Sequence, residues 1–588
     1  VRTYWREIAG SLIALVVQIA TMPRTPWEND EFLFAEAVKK FEPTIWAYHP
    51  HPPGFPLFVL LGKAINELVG DPWRALVLLN IVAAPIGFVA MSRAFRRWIG
   101  DADLAACGAL LYYFSASYLL HGPLAFSDPI AIAFVALAFY SIAVEGEAEH
   151  DRAAIGVGLW SSAAIGCRPQ LVIALAPALV VAFVRLRDNR KRLAMAITFT
   201  VVSLMWFLPL LDAAGGPREL LIYEQQQARY FVAHDAAMSR GAKSSADIAI
   251  RFLLHPWGSK YLTLPLVVLF ALGIVPAWRR RRELVPLFVF TLAWLIFELG
   301  WMDPADAARY SLPSMIFTAL MAAFGLGLIR SSMRVQLAPW IAAAVFALGS
   351  FGYVKPIIAD RMSKPSPPAA AAEYANAHYP PNTVVLWDAS LRPAAEYLMP
   401  RFKSAAVERG LRDYYNRPDV PLVLFSDGGS HLPDAKVFAW RESDAYGKIT
   451  RNHYRVVTLD PVTPEERYLP LGGVFAMERT PQGEEWRWLS REATIRLPSR
   501  LGRSAELLFR ISPDAPYDAN VVKVFANGTA AGAVTVKKGE TASLRVPIPA
   551  GGPDDLRIVS EQSFRPADVL HNQDPRSLAT QLVYFVQR

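Results

Sequence analysis

TPWENDEFLFAEAVKKFEPTIWAYHPHPPGFP, residues 25–56, is a polar interlude in an otherwise apolar half-chain. It follows the first hydrophobic run and carries Glu28, Asp30, Glu31, His49 and His51 in one short segment. Around it, apolar runs of about 17–25 residues recur up to position 355, the length a helix needs to cross a bilayer. After Pro356 they stop. The pattern predicts an α-helical polytopic membrane domain over 1–355, with the quoted segment held at the bilayer surface, followed by a non-membrane tail.

Composition supports that reading. The chain has 588 residues, 53% of them hydrophobic, and a mean hydropathy of +0.23. A net charge of +8 raises the question of nucleic acid. The basic residues, however, sit between apolar runs, at Arg93, Arg96 and Arg97, from Arg185 to Arg192, from Arg279 to Arg282, and at Arg330 and Arg334. That is the signature of short cytoplasmic loops, and it argues against a nucleic-acid partner. The two cysteines, Cys107 and Cys167, lie in apolar runs, so no disulfide framework or zinc site is indicated. No small-residue cleavage site follows the first run, so a retained helix is expected.

The candidate spans are 6–22, 73–95, 104–120, 127–144, 153–166, 168–186, 192–211, 262–278, 284–300, 309–329 and 335–354, about eleven transmembrane helices. With the basic clusters inside, the first loop, 121–127, 212–261, 301–308 and the tail fall outside. The runs 31–41 and 55–69 are read as amphipathic helices lying on the outer surface. The second is short and carries Lys63 and Glu67, and a crossing there would move the Arg93–Arg97 cluster outside. The long loop 212–261 reads as a helix and then a mobile stretch, either a cover for a substrate or a connector.

In the tail, 369–474 mixes strand-like TVVLWDAS and VPLVLFSDG with a helical segment from Arg392 to Ala406, which predicts a small α/β domain. No glycine-rich phosphate fingerprint follows either strand. From 484 to 588, AELLFRI, NVVKVFA, SLRVPIP, DLRIVSE and QLVYFVQ, with a turn at Asn527-Gly528, predict a β-sandwich. Trp486 and Trp488 either stack on sugars, making the domain carbohydrate-binding, or sit at the domain contact or in the core.

Several residue types suit one chemistry. Asp30 and Glu31 are adjacent, about 100° apart on a helix, so they do not form a facing acid/base pair of the glycosidase kind. They suit a reaction with one base, in which the leaving group needs no proton, as with a polyprenyl phosphate. The alternative is that Asp30 caps the 31–41 helix. His49 and His51 flank Pro50 in an extended, rigid run, pointing to opposite sides; each either donates to a phosphate or sugar or makes a structural hydrogen bond. Arg168 and Arg309 sit at span ends on the outer face, where a guanidinium either snorkels to headgroups or holds a lipid phosphate. Asp128, in FSDP, is a helix cap, a second polar contact or a metal ligand beside Asp30. Arg229 and Tyr310 join these as candidate substrate contacts, while Glu298 and Asp303 are weaker ones. No cofactor is implied; a divalent cation is compatible with this set but not indicated by it.

On these residues the chain resembles the GT-C superfamily of integral-membrane glycosyltransferases, most closely its protein O-mannosyltransferase and lipid A aminoarabinose transferase branch. The matching features are Asp30-Glu31 followed by FAEA, then HPHPPGFPLFVLLGKAI, RPQ at Arg168 and RYSLP at Arg309. The resemblance covers roughly residues 1–355. It implies a sugar donor linked to polyprenyl phosphate, inversion at the anomeric carbon, and Asp30 as general base. It also implies a hexosyl- or pentosyltransferase at the periplasmic face of a bacterial inner membrane, with the tail in the periplasm. The acceptor is a glycan, a lipid or a protein. The rival reading is a glycan-binding or glycan-translocating membrane protein without transferase activity. That rival needs polar residues lining a path through the spans, and few are seen there, with Gln18, Asn80, Ser115 and Ser117 scattered.

Overall fold

The computed structural model describes residues 4–588 other than 146–151, 235, 237–243, 431–433, 441–444, 451–453, 481–482, 499–501, 551–553 and 571–573. The chain divides into two compact units, Val1–Pro365 with Arg441–His453, and Ser366–Trp440 with Tyr454–Arg588.

The first unit is helical. It opens with α1 (Trp5–Ala20), α2 (Asn29–Lys39), α3 (Pro56–Val69) and α4 (Pro72–Ile99). It continues with α5 (Ala102–Tyr113), α6 (Ala116–His121), α7 (Ser127–Val144), α8 (Ala153–Cys167), α9 (Val172–Arg185) and α10 (Asn189–Ala214). Then come α11 (Pro217–His234), α12 (Ser245–Leu253), α13 (Lys260–Arg279), α14 (Arg281–Trp301), α15 (Ala307–Tyr310), α16 (Leu312–Met333) and α17 (Ala338–Ser363). Among the described residues, seven helices are long and apolar enough to cross a membrane: α4, α7, α10, α13, α14, α16 and the run starting at Ala338. α5, α8 and the 169–185 stretch are shorter apolar helices.

Which faces stay bare identifies the solvent. α10 exposes Leu193, Ile197, Val201, Leu204, Met205 and Leu208. α13 exposes Leu264, Val268 and Val275, and α17 exposes Ile341, Val345 and Leu348. Stripes of that size are untenable in water and natural against lipid tails. The first unit is a multi-pass membrane domain.

The basic clusters collect at one end of the bundle. Arg330 pairs with Asp101 at 2.6 Å, and the Arg185 side chain donates to the Arg282 main-chain carbonyl. α2, α3, α11, α12 and α15 belong to the opposite end. Two of the polar residues inside the spans serve as ties. Asn80 Nδ2 donates to the carbonyls of Leu124 and Phe126 at 2.6 and 2.7 Å, and Ser117 Oγ donates to that of Ala308.

Local chemistry sets the helix ends, and in two places it departs from the sequence expectation. The run 104–120 is two helices, because Ser115 Oγ accepts from the Tyr118 main-chain N–H at 3.2 Å and starts a second one. The helix expected at 31–41 begins earlier, because Glu28 is extended and takes the capping position. Its main-chain N–H is held by Glu31 Oε2 at 3.1 Å, so Asp30 is not the cap. The mobile stretch expected after α11 falls on 235 and 237–243, outside the described residues.

In the second unit a five-stranded sheet runs in the order 403–406, 384–387, 422–427, 456–462, 436–439. The first three strands are parallel and the last two antiparallel. The β-rich domain beyond it is an antiparallel sheet of eight strands, 469–479, 485–496, 504–510, 519–526, 529–537, 541–547, 555–560 and 580–587. Its hydrogen bonds run on without dividing it into two facing sheets. It curls until the outer strands meet, with Gly532 against Leu544, giving a barrel-like core. Asn527 and Gly528 both have positive φ (49° and 83°), the backbone that a two-residue hairpin between right-twisted strands requires. Trp488 is core, whereas Trp486 is half-buried, with the Arg510 guanidinium 5.2 Å from its ring centroid.

Candidate active site

The geometry begins with the two adjacent carboxylates, which diverge as helical spacing requires. Glu31 points into the protein and is fully buried. It accepts from the main-chain N–H groups of Trp27 (2.7 Å), Glu28 (3.1 Å) and Ala125 (3.0 Å), and from Trp73 Nε1 (2.9 Å). Burial pushes its carboxyl pKa up, while the hydrogen bonds from Trp73, Trp27 and Ala125 and the Arg361 charge pull it down. Glu31 therefore fastens α2 to α4 and to the segment before α7. Glu31→Leu would orphan those four buried donors, at about 1–3 kcal/mol each. A large fall in the thermal unfolding midpoint of the detergent-solubilised protein is expected, and an unchanged midpoint would contradict this role.

With the cap and the buried acceptor supplied by its neighbours, Asp30 is left to face a cavity of about 280 Å³. Its Oδ2 accepts from Arg309 Nη1 at 2.7 Å, and its Oδ1 lies 4.0 Å from His51 Nε2. Arg309 also reaches Asp306 Oδ2 and the Tyr310 hydroxyl, both at 3.0 Å. Its guanidinium stacks over Phe126, 4.4 Å from the ring centroid. Across the cavity, Arg168 Nη1 lies 2.7 Å from Asp128 Oδ1, both side chains buried, and the same guanidinium covers Tyr310 at 5.4 Å.

His51 is brought in by a turn rather than an extended run, contrary to the sequence reading. The main chain pairs Glu42 with His49 at 2.8 and 3.1 Å, and the Gly54 N–H returns to the His51 carbonyl at 3.0 Å. Gly54 (φ 85°) is required there, since a Cβ would meet Leu210 at 2.7 Å and Pro43 at 3.0 Å. Phe34, Phe55, Phe231, Phe297, Trp301 and Met302 form the apolar walls.

Asp30, His51, Asp128, Arg168, Arg309 and Tyr310 thus line one cavity. Glu31, His49 and Arg229 do not. Arg229 is exposed on α11, because the helix turns Glu224, Gln227, Ala228 and Phe231 to the cavity and the intervening face outward. Among the weaker candidates, Glu298 accepts from Ser314 Oγ at 3.0 Å and Asp303 caps the turn at 304–306.

Sequence reasoning passed over Glu224, Gln227, Ser127 and Gln170. The first two lie three apart on α11, with Phe231 on the same face, a periodicity that was legible. α11 is latched by Tyr48, whose hydroxyl donates to Gln227 Oε1 at 2.6 Å. Burial raises the Glu224 carboxyl to about 7. Ser127 Oγ, Gln170 Oε1 and Arg168 Nε are buried at the wall with no hydrogen-bond partner among the described residues. Buried polar atoms of that kind usually wait for a ligand or water. Among the described residues, no three His, Cys, Asp or Glu side chains gather to hold a metal ion.

Residues 49–211 match the family profile described as dolichyl-phosphate-mannose-protein mannosyltransferase. The match includes His51, Asp128 and Arg168, and leaves Asp30 before it and Arg309 beyond it. No curated protein sequence matches the chain. Among solved structures the chain is similar to ArnT from Cupriavidus metallidurans bound to undecaprenyl phosphate, at 15% identity and TM-score 0.50, over 77% of this chain and 97% of that one. It is also similar to the archaeal oligosaccharyltransferase AglB from Archaeoglobus fulgidus, in complex with an inhibitory peptide and a dolichol-phosphate, at 10% identity, TM-score 0.46 and 96% of each chain. A further similarity is to the arabinofuranosyltransferase AftD from Mycobacteria, at 11% identity and TM-score 0.44, over 100% of this chain and 59% of that one. The likeness to ArnT shows that the two chains share a fold.

Proposed function

We propose that this chain is an inverting glycosyltransferase that moves a hexose or pentose from a polyprenyl phosphate to an acceptor hydroxyl on a glycan, lipid or protein. The observation that carries the reading is one cavity joining the Asp30 carboxylate to the Arg168 and Arg309 guanidiniums, at the bundle end opposite the basic clusters. By the positive-inside rule that end faces the periplasm of a bacterial inner membrane, with eleven crossings and the tail on the same side. The acceptor oxygen attacks the anomeric carbon while the bond from that carbon to the phosphate oxygen breaks. The electron pair leaves with the phosphate, whose charge Arg168 and Arg309 offset. Asp30 takes the hydroxyl proton, and the phosphate, leaving as a stable anion, needs no acid. The apolar walls keep water from competing as the acceptor. The β-rich C-terminal domain is the part we assign to holding glycan.

The test is vesicle-reconstituted protein given a panel of labelled polyprenyl-phosphate sugars. Release of polyprenyl phosphate with sugar transferred supports the reading, and release from none of them, with acceptor extracts supplied, removes it.

Glu224 gives the reaction a pH signature. Below about pH 7 its carboxyl is neutral; above, it adds a negative charge beside a phosphate donor. The KM for donor is expected to rise as pH passes about 7, and Glu224→Gln to flatten that limb. A wild-type KM that stays constant from pH 6 to 8 contradicts the assignment.

A further inference from the structure

At the bundle end opposite Asp30, the ends of α4, α7, α9 and α14 frame a cavity of about 600 Å³. Arg97, Arg185 and Arg282 lie in its wall with Trp98, Leu186 and Met195. The wall also holds two carboxylates, each engaged by a cation of its own: Glu145 by Lys191 at 3.3 Å, and Glu283 by Arg280 at 3.2 Å. Among the described residues, Arg185 and Arg282 have no carboxylate within ion-pair distance. Arg185 instead donates to the Arg282 carbonyl, which ties the two residues together across the cavity mouth. The Arg185 guanidinium held in this way, with that of Arg282 in the same wall, offers paired N–H donors to a phosphodiester.

The surroundings say what carries the phosphate. α9 ends at Arg185 after exposing Val180 and Val184, and α10 exposes Leu193 and Ile197 beside the same cavity. A ligand with its phosphate at the arginines and acyl chains along these faces leaves no polar group in hydrocarbon. A free anion would leave the apolar rim bare. From these observations we infer that the cavity holds the phosphate of an anionic phospholipid, gripped by Arg185 and Arg282. The inference concerns a second site and does not depend on the reaction proposed above.

The test uses the full chain, delipidated in detergent, and native mass spectrometry with tetraoleoyl cardiolipin, dioleoyl phosphatidylcholine and inorganic phosphate as probes. Cardiolipin is expected to bind about tenfold or more tightly than phosphatidylcholine, and R185Q/R282Q to abolish that preference. Equal binding of the two lipids, or a preference kept in R185Q/R282Q, overturns the inference. Inorganic phosphate that displaces cardiolipin at equal concentration would assign the site to a free anion and overturn the lipid. If the double variant does not fold, R282Q alone decides, with a preference reduced about threefold or more supporting the site and an unchanged one removing it.

Discussion

Asp30→Asn is expected to lower turnover by about 10²–10⁴-fold, the range that a positioned proton acceptor contributes. Asparagine keeps the size of the side chain and one oxygen for Arg309, whose 2.7 Å bond to Oδ2 places the carboxylate at the cavity wall. The lost quantity is basicity, so the fall belongs in kcat, with the KM for donor within a few-fold of wild type. Folding is a separate matter, because Glu28 and Glu31 cap the helix and Asp30 does not. The measurement is single-turnover transfer from a labelled polyprenyl-phosphate sugar, alongside the thermal midpoint. A variant that folds and transfers at a near-normal rate takes the base away from Asp30.

Arg309→Gln is the second large effect, and it differs in kind. The guanidinium serves Asp30, Asp306 and Tyr310 at once and stacks on Phe126. Removing it leaves two carboxylates of low exposure without their cation, a loss of about 3 kcal/mol or more of stability by the usual cost of breaking a buried pair. It also withdraws charge from the departing phosphate, about 10²–10³-fold in rate. Binding of labelled polyprenyl phosphate should weaken in Arg309→Gln and hold in Asp30→Asn, which separates phosphate recognition from proton transfer. Arg309→Lys restores the charge without the fork and should recover only part of the binding. Unimpaired binding of polyprenyl phosphate in Arg309→Gln would contradict the assignment.

The fold was largely legible because the signals that set it are local. The length of an apolar run, the basic residues between runs, a Pro at a helix start and an Asn-Gly turn each act within a few residues. The membrane domain, the α/β sheet and the β-rich domain can therefore be read in order from the sequence. Where the reading slipped, a side chain had competed with the pattern. Ser115 split one run into two helices, Glu28 moved the start of α2, the strand 403–406 fell inside a segment read as helical, and the strands 436–439, 456–462, 469–479, 485–496 and 529–537 passed unremarked.

The candidate site was legible as a set of residue types, and only the tertiary structure decided which of them share a space. Asp30 and Arg309 are 279 positions apart and bonded, while Asp30 and Glu31 are adjacent and serve different surroundings. Periodicity puts Glu224, Gln227 and Phe231 on one face of α11, but that this face turns inward rather than the one with Arg229 is decided by the packing of the helix, pinned through Tyr48. Sequence alone determined a lipid-embedded helical body with acidic and basic groups at its outer loops, because hydrophobic burial depends on composition over short windows. The choice of partners fell to the folded chain, because a charge beside lipid must be neutralised by whatever the helices bring to it, from any distance along the sequence.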